Sequence, residues 1–138
     1  MQLLALDLGP QVHALVGLAA APGFTDWGLT DAQKALLDAG HTIYEENAYG
    51  PEQTPTHPGF YKDAKALASS LAGSVPIKCP VRLIHGQADP DVPWQVSLGI
   101  AEKLQSADIQ VTLVKDGDHR LSREQDINLL LRTIAALP

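Results

Sequence analysis

Apolar positions change their spacing along this chain, and each change marks an element. Leu3, Leu4, Leu6 and Leu8 crowd the first residues and read as a short helix, ended by Gly9-Pro10. HALVGLAAAP (13–22) is a short apolar run between turn signals and predicts a buried strand. Thr30 with Gln33 matches a capping box and Gly40 a helix stop, which predicts a helix over 31–39. Residues 47–59 hold three prolines and two glycines and predict loop. FYKDAKALASSLAG (60–73) places Ala64, Leu67, Ala68 and Leu71 on one helical face, with Gly73 as its stop. VRLIHG (81–86) and IQVTLV (109–114) read as strands on either side of an amphipathic helix over 94–107, which aligns Val96, Ile100 and Leu104. Ser122 and Gln125 match a second capping box, opening a helix with Ile127, Leu130, Leu131 and Ile134 at helical spacing.

Strand and helix alternate in the last third, the order of a parallel sheet with right-handed crossovers. The expected fold class is α/β: about three parallel strands with flanking helices, forming one small domain over 1–138, with a helical insertion at 23–75. In such sheets function collects at the carboxyl ends of the strands.

Composition narrows the classes. A net charge of −6 without a Lys/Arg cluster argues against nucleic acid as a partner. The longest apolar run, near 14–22, is too short to cross a bilayer, and MQLLALDLGP lacks the basic start of a signal peptide. Neither a membrane nor a secretory route is therefore expected. Cys79 is the single cysteine, which excludes an internal disulfide and favours the cytoplasm.

Two loops leave the carboxyl ends of the predicted strands: HGQADPDVPW (85–94) and DGDHRLS (116–122). If the strands are parallel neighbours, a carboxylate of the first loop can orient the imidazole of His119. That is two thirds of an acid–His–nucleophile arrangement. Asp91 competes with Asp89 for the acid role, and Asp118 is expected to point to solvent. His85, Asp89, Asp91 and His119 are also metal-ligand types, but their spacing matches no metal motif, and no metal is expected. Ser122 reads as a helix cap rather than a nucleophile. Cys79, before a proline at a strand start, is expected to be buried and inert.

PIKCPVRLIHGQADPDVPW (76–94) together with DGDHRLSREQDINLLLRTI (116–134) resembles the C-terminal third of the α/β-hydrolases. It is most similar to the branch of acyl-glucuronide esterases and palmitoyl-protein thioesterases with its bacterial relatives. FYKDAKAL (60–67) resembles that branch's second lid helix. The resemblance implies Asp89 as the acid and His119 as the base, in the family's chain order. It implies an ester or acyl thioester as substrate and no cofactor. Lid segments line the acyl pocket in this branch, which makes Phe24, Trp27, Phe60, Tyr61 and Trp94 candidate substrate-binding residues, although aromatics are more often plain core.

The departure is the nucleophile. The family serine lies in G-x-S-x-G on a strand–turn–helix elbow, and no such motif occurs among Ser69, Ser70, Ser74, Ser97, Ser106 and Ser122. On this resemblance the elbow and the earlier strands fall before residue 1, and little turnover is expected of the chain alone. The edge of the 13–21 strand would then be bare, inviting a homodimer or poor solubility. The alternatives are a non-catalytic fragment that binds an acyl ligand or a partner, and a half that takes its serine from a second chain. A flavodoxin-like binding domain would call for a phosphate-binding glycine-rich loop, which the sequence lacks.

Overall fold

A computed structural model of the protein describes residues 2–47, 50–70 and 73–138. The chain divides into two compact units, residues 1–21 with 73–138, and residues 22–72.

The first unit is built on a parallel sheet. It opens with α1 (Gln2–Leu8) and a 3-10 turn at Gly9–Gln11, then β1 (Leu15–Leu18). After the second unit follow β4 (Val81–Gly86), α5 (Gln95–Lys103), β5 (Ile109–Val114) and α6 (Glu124–Ala135). The strand order is β1-β4-β5, all parallel, with Leu15 opposite Val81 and Val81 opposite Ile109. Central β4 is buried at every residue, which explains its near-continuous apolar sequence. Its one cation is paired at the amino end of the sheet. Arg82 Nη1 and Nη2 bind the two carboxylate oxygens of Asp108 at 2.9 and 3.0 Å, tying β4 to the start of β5. The register then brings Gly86 opposite Val114, so the loops after both strands leave the sheet side by side.

The observed β1 is shorter than the predicted 13–22 strand. It stops at Ala19, a non-glycine residue at φ +41°, although the Ala19 N–H still donates to the Ile84 carbonyl. Among the described residues no strand pairs with the outer side of β1, and Leu18 there is 41% exposed. Ile127, Leu131 and Ile134 of α6 are likewise exposed. No described helix is long and apolar enough to cross a membrane.

The second unit holds α2 (Phe24–Trp27), α3 (Asp31–Asp38), β2 (Ile43–Glu45), β3 (Thr54–Thr56) and α4 (Pro58–Ser70). The capping box forms as expected: the Gln33 N–H donates to Thr30 Oγ1 and the Thr30 N–H to Gln33 Oε1. Two expectations are corrected. Residues 54–56 are strand rather than loop, because they pair antiparallel with β2 in a two-stranded ribbon where Pro55 need not donate. The α4 face is anchored by Tyr61, buried with Leu29, Leu37 and Ile43, whereas Leu67 is exposed. Leu71 lies outside the described residues.

Candidate active site

The site is assembled where the loops after β4 and β5 cross, and two glycines allow the crossing. Gly86 and Gly117 meet backbone to backbone: a methyl group on Gly86 would land on the Gly117 carbonyl and 2.7 Å from the Asp118 carbonyl oxygen. The Gln87 N–H donates to the Val114 carbonyl at 2.8 Å and the Ala88 N–H to the Gly117 carbonyl at 3.0 Å. The loop after β4 is thereby stitched to the loop after β5 one residue before Asp89 and two before His119.

Asp89 points inward, its side chain 1% exposed. Oδ1 accepts the N–H groups of Asp91 at 2.8 Å and Val92 at 2.9 Å. Oδ2 lies 2.9 Å from His119 Nδ1. An ionised carboxylate only accepts, so Nδ1 carries the proton and Nε2 keeps the lone pair. Burial raises the Asp89 pKa. The Val92 N–H, the His119 ring, the Asp91 N–H and the His119 charge together outweigh it and hold the carboxyl below its usual range. His119 itself is about one-third exposed, so its second nitrogen is open to a reactant.

The turn behind His119 is held by charge and by strain. Leu121 sits at φ +46°, buried, with its N–H donating to Asp118 Oδ1 at 2.9 Å. Asp118 is thus a turn residue rather than one directed only at solvent. The expected cap at Ser122 is absent: α6 is preceded by Arg123, with no side-chain cap. Arg123 instead binds both Asp126 oxygens, at 2.7 and 3.0 Å, and both Asp116 oxygens, at 2.8 and 3.3 Å. One guanidinium thereby closes the loop between the end of β5 and the first turn of α6.

Hydrogen bonds from Arg123 hold both Asp116 and Asp126 below the usual carboxylate range. Their contribution to stability is present above the ordinary carboxyl pKa and is lost as pH falls through the lowered native values. Arg123→Leu is therefore expected to reduce stability in urea at about pH 7 and to cost much less as pH falls through the lowered native values of the two carboxyls. An equal cost across that fall would remove the charge pairing as its cause.

Asp91, the competing acid, contributes its backbone N–H to Asp89. Donor atoms of Asp89, Asp91 and His119 lie within 4.8 Å of one another, close enough for a metal ion. The oxygens of Asp89 are, however, already engaged by two backbone N–H groups and the imidazole, so the cluster reads chemically as a hydrogen-bonded acid–base pair. Gly86, Gly117 and Arg123 carry roles that sequence reading missed.

The aromatic candidates separate. Phe24 and Phe60 stack with ring centroids 5.6 Å apart, and Phe60 is exposed. Trp27 Nε1 donates to the Pro22 carbonyl at 3.2 Å, and Tyr61 is core. Trp94, half-buried, belongs to the other unit and immediately precedes α5. Cys79 is half-buried, more exposed than expected.

The profile of the prolyl oligopeptidase family matches residues 8–137. The chain belongs to that family. This prolyl oligopeptidase-family chain is 32% identical over 130 residues to bovine mitochondrial palmitoyl-protein thioesterase ABHD10, an alignment covering 90% of the chain and 42% of the relative. The mouse enzyme of the same name is 50% identical over 64 residues, covering 46% of the chain and 22% of the relative. Among solved structures, mouse alpha/beta hydrolase domain-containing protein 10 superposes with a TM-score of 0.84 at 35% identity, covering 99% of this chain and 56% of that one. A protein from Agrobacterium vitis S4 described as a hydrolase superposes at 0.82 with 39% identity, covering 92% and 50%. A monoacylglycerol lipase from Paleococcus ferrophilus, at 16% identity and a TM-score of 0.71, shares the fold. The expected α/β-hydrolase architecture is therefore the one observed. The family chain studied here spans 42% of the bovine relative's length.

Proposed function

We propose that this chain supplies the acid and the base of a serine hydrolase acting on carboxylic esters or acyl thioesters. The observation that carries the proposal is the 2.9 Å contact between His119 Nδ1 and the buried Asp89 Oδ2. His119 Nε2 takes the proton of a serine hydroxyl as its oxygen attacks the acyl carbonyl. It then returns the proton to the leaving thiol or alcohol, and water repeats the sequence on the acyl-enzyme. Asp89 stays ionised throughout, holds the ring tautomer and stabilises the imidazolium. The acyl substrate class is supported by the relatives named palmitoyl-protein thioesterases. Phe24, Trp27, Phe60 and Tyr61 of the 22–72 unit remain proposed acyl-binding residues, as does Trp94 of the other unit taken by itself.

The serine comes from outside these residues, since no G-x-S-x-G occurs in the sequence. The open side of β1 is where the part carrying it would pair, and a second copy of the chain is the competing occupant. Alone, the chain would act as an acyl-ligand or partner-binding fragment. The absence of a disulfide-forming pair supports a reducing compartment.

The test is hydrolysis of a palmitoyl thioester and of a short-chain chromogenic ester. It is run with the chain alone and with the chain joined to the part of the mouse thioesterase that it does not match. The joined protein is expected to turn over both substrates, and His119→Ala to abolish this. The chain alone is expected to remain near background. Equal activity with and without His119 would reject the assignment, and preferential cleavage of a prolyl peptide would reassign the substrate class.

A further inference from the structure

His85 is the most deeply buried ionisable side chain of the site, with 0% exposure, and the proton transfers above do not use it. Nε2 lies 3.0 Å from the Val92 carbonyl oxygen, which only accepts, so Nε2 carries the proton. Nδ1 then holds a lone pair, and the equally buried Ser97 of α5 meets it at 2.7 Å with its hydroxyl as donor. Both ring nitrogens are satisfied in one neutral tautomer only. The same Nε2 is 3.3 Å from Asp89 Oδ2, on the oxygen that faces His119.

Two hydrogen-bonded runs meet at residue 92 and link α5 to Asp89. The Ser97 hydroxyl donates to His85, His85 to the Val92 carbonyl, the Val92 N–H to Asp89 Oδ1 at 2.9 Å, and His119 Nδ1 to Asp89 Oδ2 at 2.9 Å. Every link from α5 to Asp89 is buried or nearly so, where a lost partner leaves an unsatisfied polar group. A buried apolar residue at position 85 would pack in the strand equally well, but it could not hold the Val92 peptide.

We propose that His85 is the positioning residue of the acid: fixed by Ser97 in its Nε2–H tautomer, it holds the 89–92 turn in the arrangement that turns Asp89 toward His119. This rests on the reading of Asp89 as the orienting acid. His85 touches no reacting atom; it acts on Asp89 through residue 92, whose carbonyl it holds while the N–H of the same residue binds Asp89, and through its own 3.3 Å contact with Asp89 Oδ2.

The test is a carbon-detected NMR titration of the Asp89 carboxyl in the full chain, in wild type, His85→Leu, His85→Gln and Ser97→Ala. Asp108, paired with Arg82 at the opposite end of the strands, serves as the internal reference. In His85→Leu the Asp89 midpoint is expected to rise toward the ordinary value of about 3.9, because the ring contact with Oδ2 is gone and the Val92 N–H no longer holds Oδ1. Asp108 is expected to stay at its wild-type midpoint. His85→Gln, whose amide N–H can reach the same carbonyl, is expected to recover most of the wild-type behaviour. Ser97→Ala is expected to shift Asp89 in the same direction by less, and it decides the matter if His85→Leu does not fold. An Asp89 midpoint unchanged in the folded variants overturns the proposal, as does an equal rise at Asp108. The titration needs no turnover, so failure of the acyl-hydrolase reading shows in the hydrolysis assay, and failure of this one shows at Asp89.

Discussion

Asp89→Asn is expected to lower turnover of the serine-complemented protein by about 10⁴-fold while leaving the fold intact. The structure dictates which way the new amide must sit. Oδ1 accepts two backbone N–H groups, from Asp91 and Val92, so the asparagine oxygen must occupy that position. Its NH₂ then takes the place of Oδ2 and faces His119 Nδ1. An amide N–H there can only be met by a ring lone pair, which forces the proton of His119 onto Nε2. The nitrogen that should accept the serine proton is thereby filled. The imidazolium also loses its counter-charge, so both functions of the acid fail together. The measurement is kcat with a palmitoyl thioester, beside thermal unfolding to establish that the fold is retained. A loss smaller than about tenfold would show that Asp89 does not set the tautomer.

Gly86→Ala is expected to have the second largest effect, acting on stability and activity at once. The added methyl would meet the Gly117 carbonyl, which cannot yield without breaking the hydrogen bond from the Ala88 N–H. The acid and base loops must separate. Overpacking of this kind costs about 1–3 kcal/mol. A displacement of about 1 Å between catalytic groups costs roughly 10²-fold in rate. Urea unfolding of the chain reads the first quantity, and hydrolysis by the complemented protein the second. Stability within about 0.5 kcal/mol of wild type would mean that the crossing is looser than its geometry indicates.

The pairing of Asp89 with His119 was legible in the sequence because each residue lies in the loop after an apolar strand. HG-x-x-D begins at the end of β4 and D-H-R-L follows β5, and parallel neighbours must bring those ends together. What holds them was not legible. Gly86 and Gly117 lie 31 positions apart, and their contact depends on how two loops cross. No single-sequence signal separates this from ordinary turn glycine. Ser122 fitted a cap by pattern, yet the charge pairs of Arg123 with Asp116 and Asp126 set the start of α6 instead. The β2–β3 ribbon was hidden by Pro55, since proline lowers the expectation of a strand except at an unpaired edge. Tyr61 shows the limit of reading aromatics: a residue proposed for the acyl pocket is also the buried anchor of α4.

In the proposed mechanism His119 deprotonates a serine. The most direct measurement is the rate at which a fluorophosphonate covalently labels the complemented protein, because this reports activation of the nucleophile independently of acyl specificity. Wild type is expected to label rapidly and His119→Ala more slowly by about 10³-fold or more, with both proteins folded. Equal labelling rates in the two proteins would contradict the role assigned to His119.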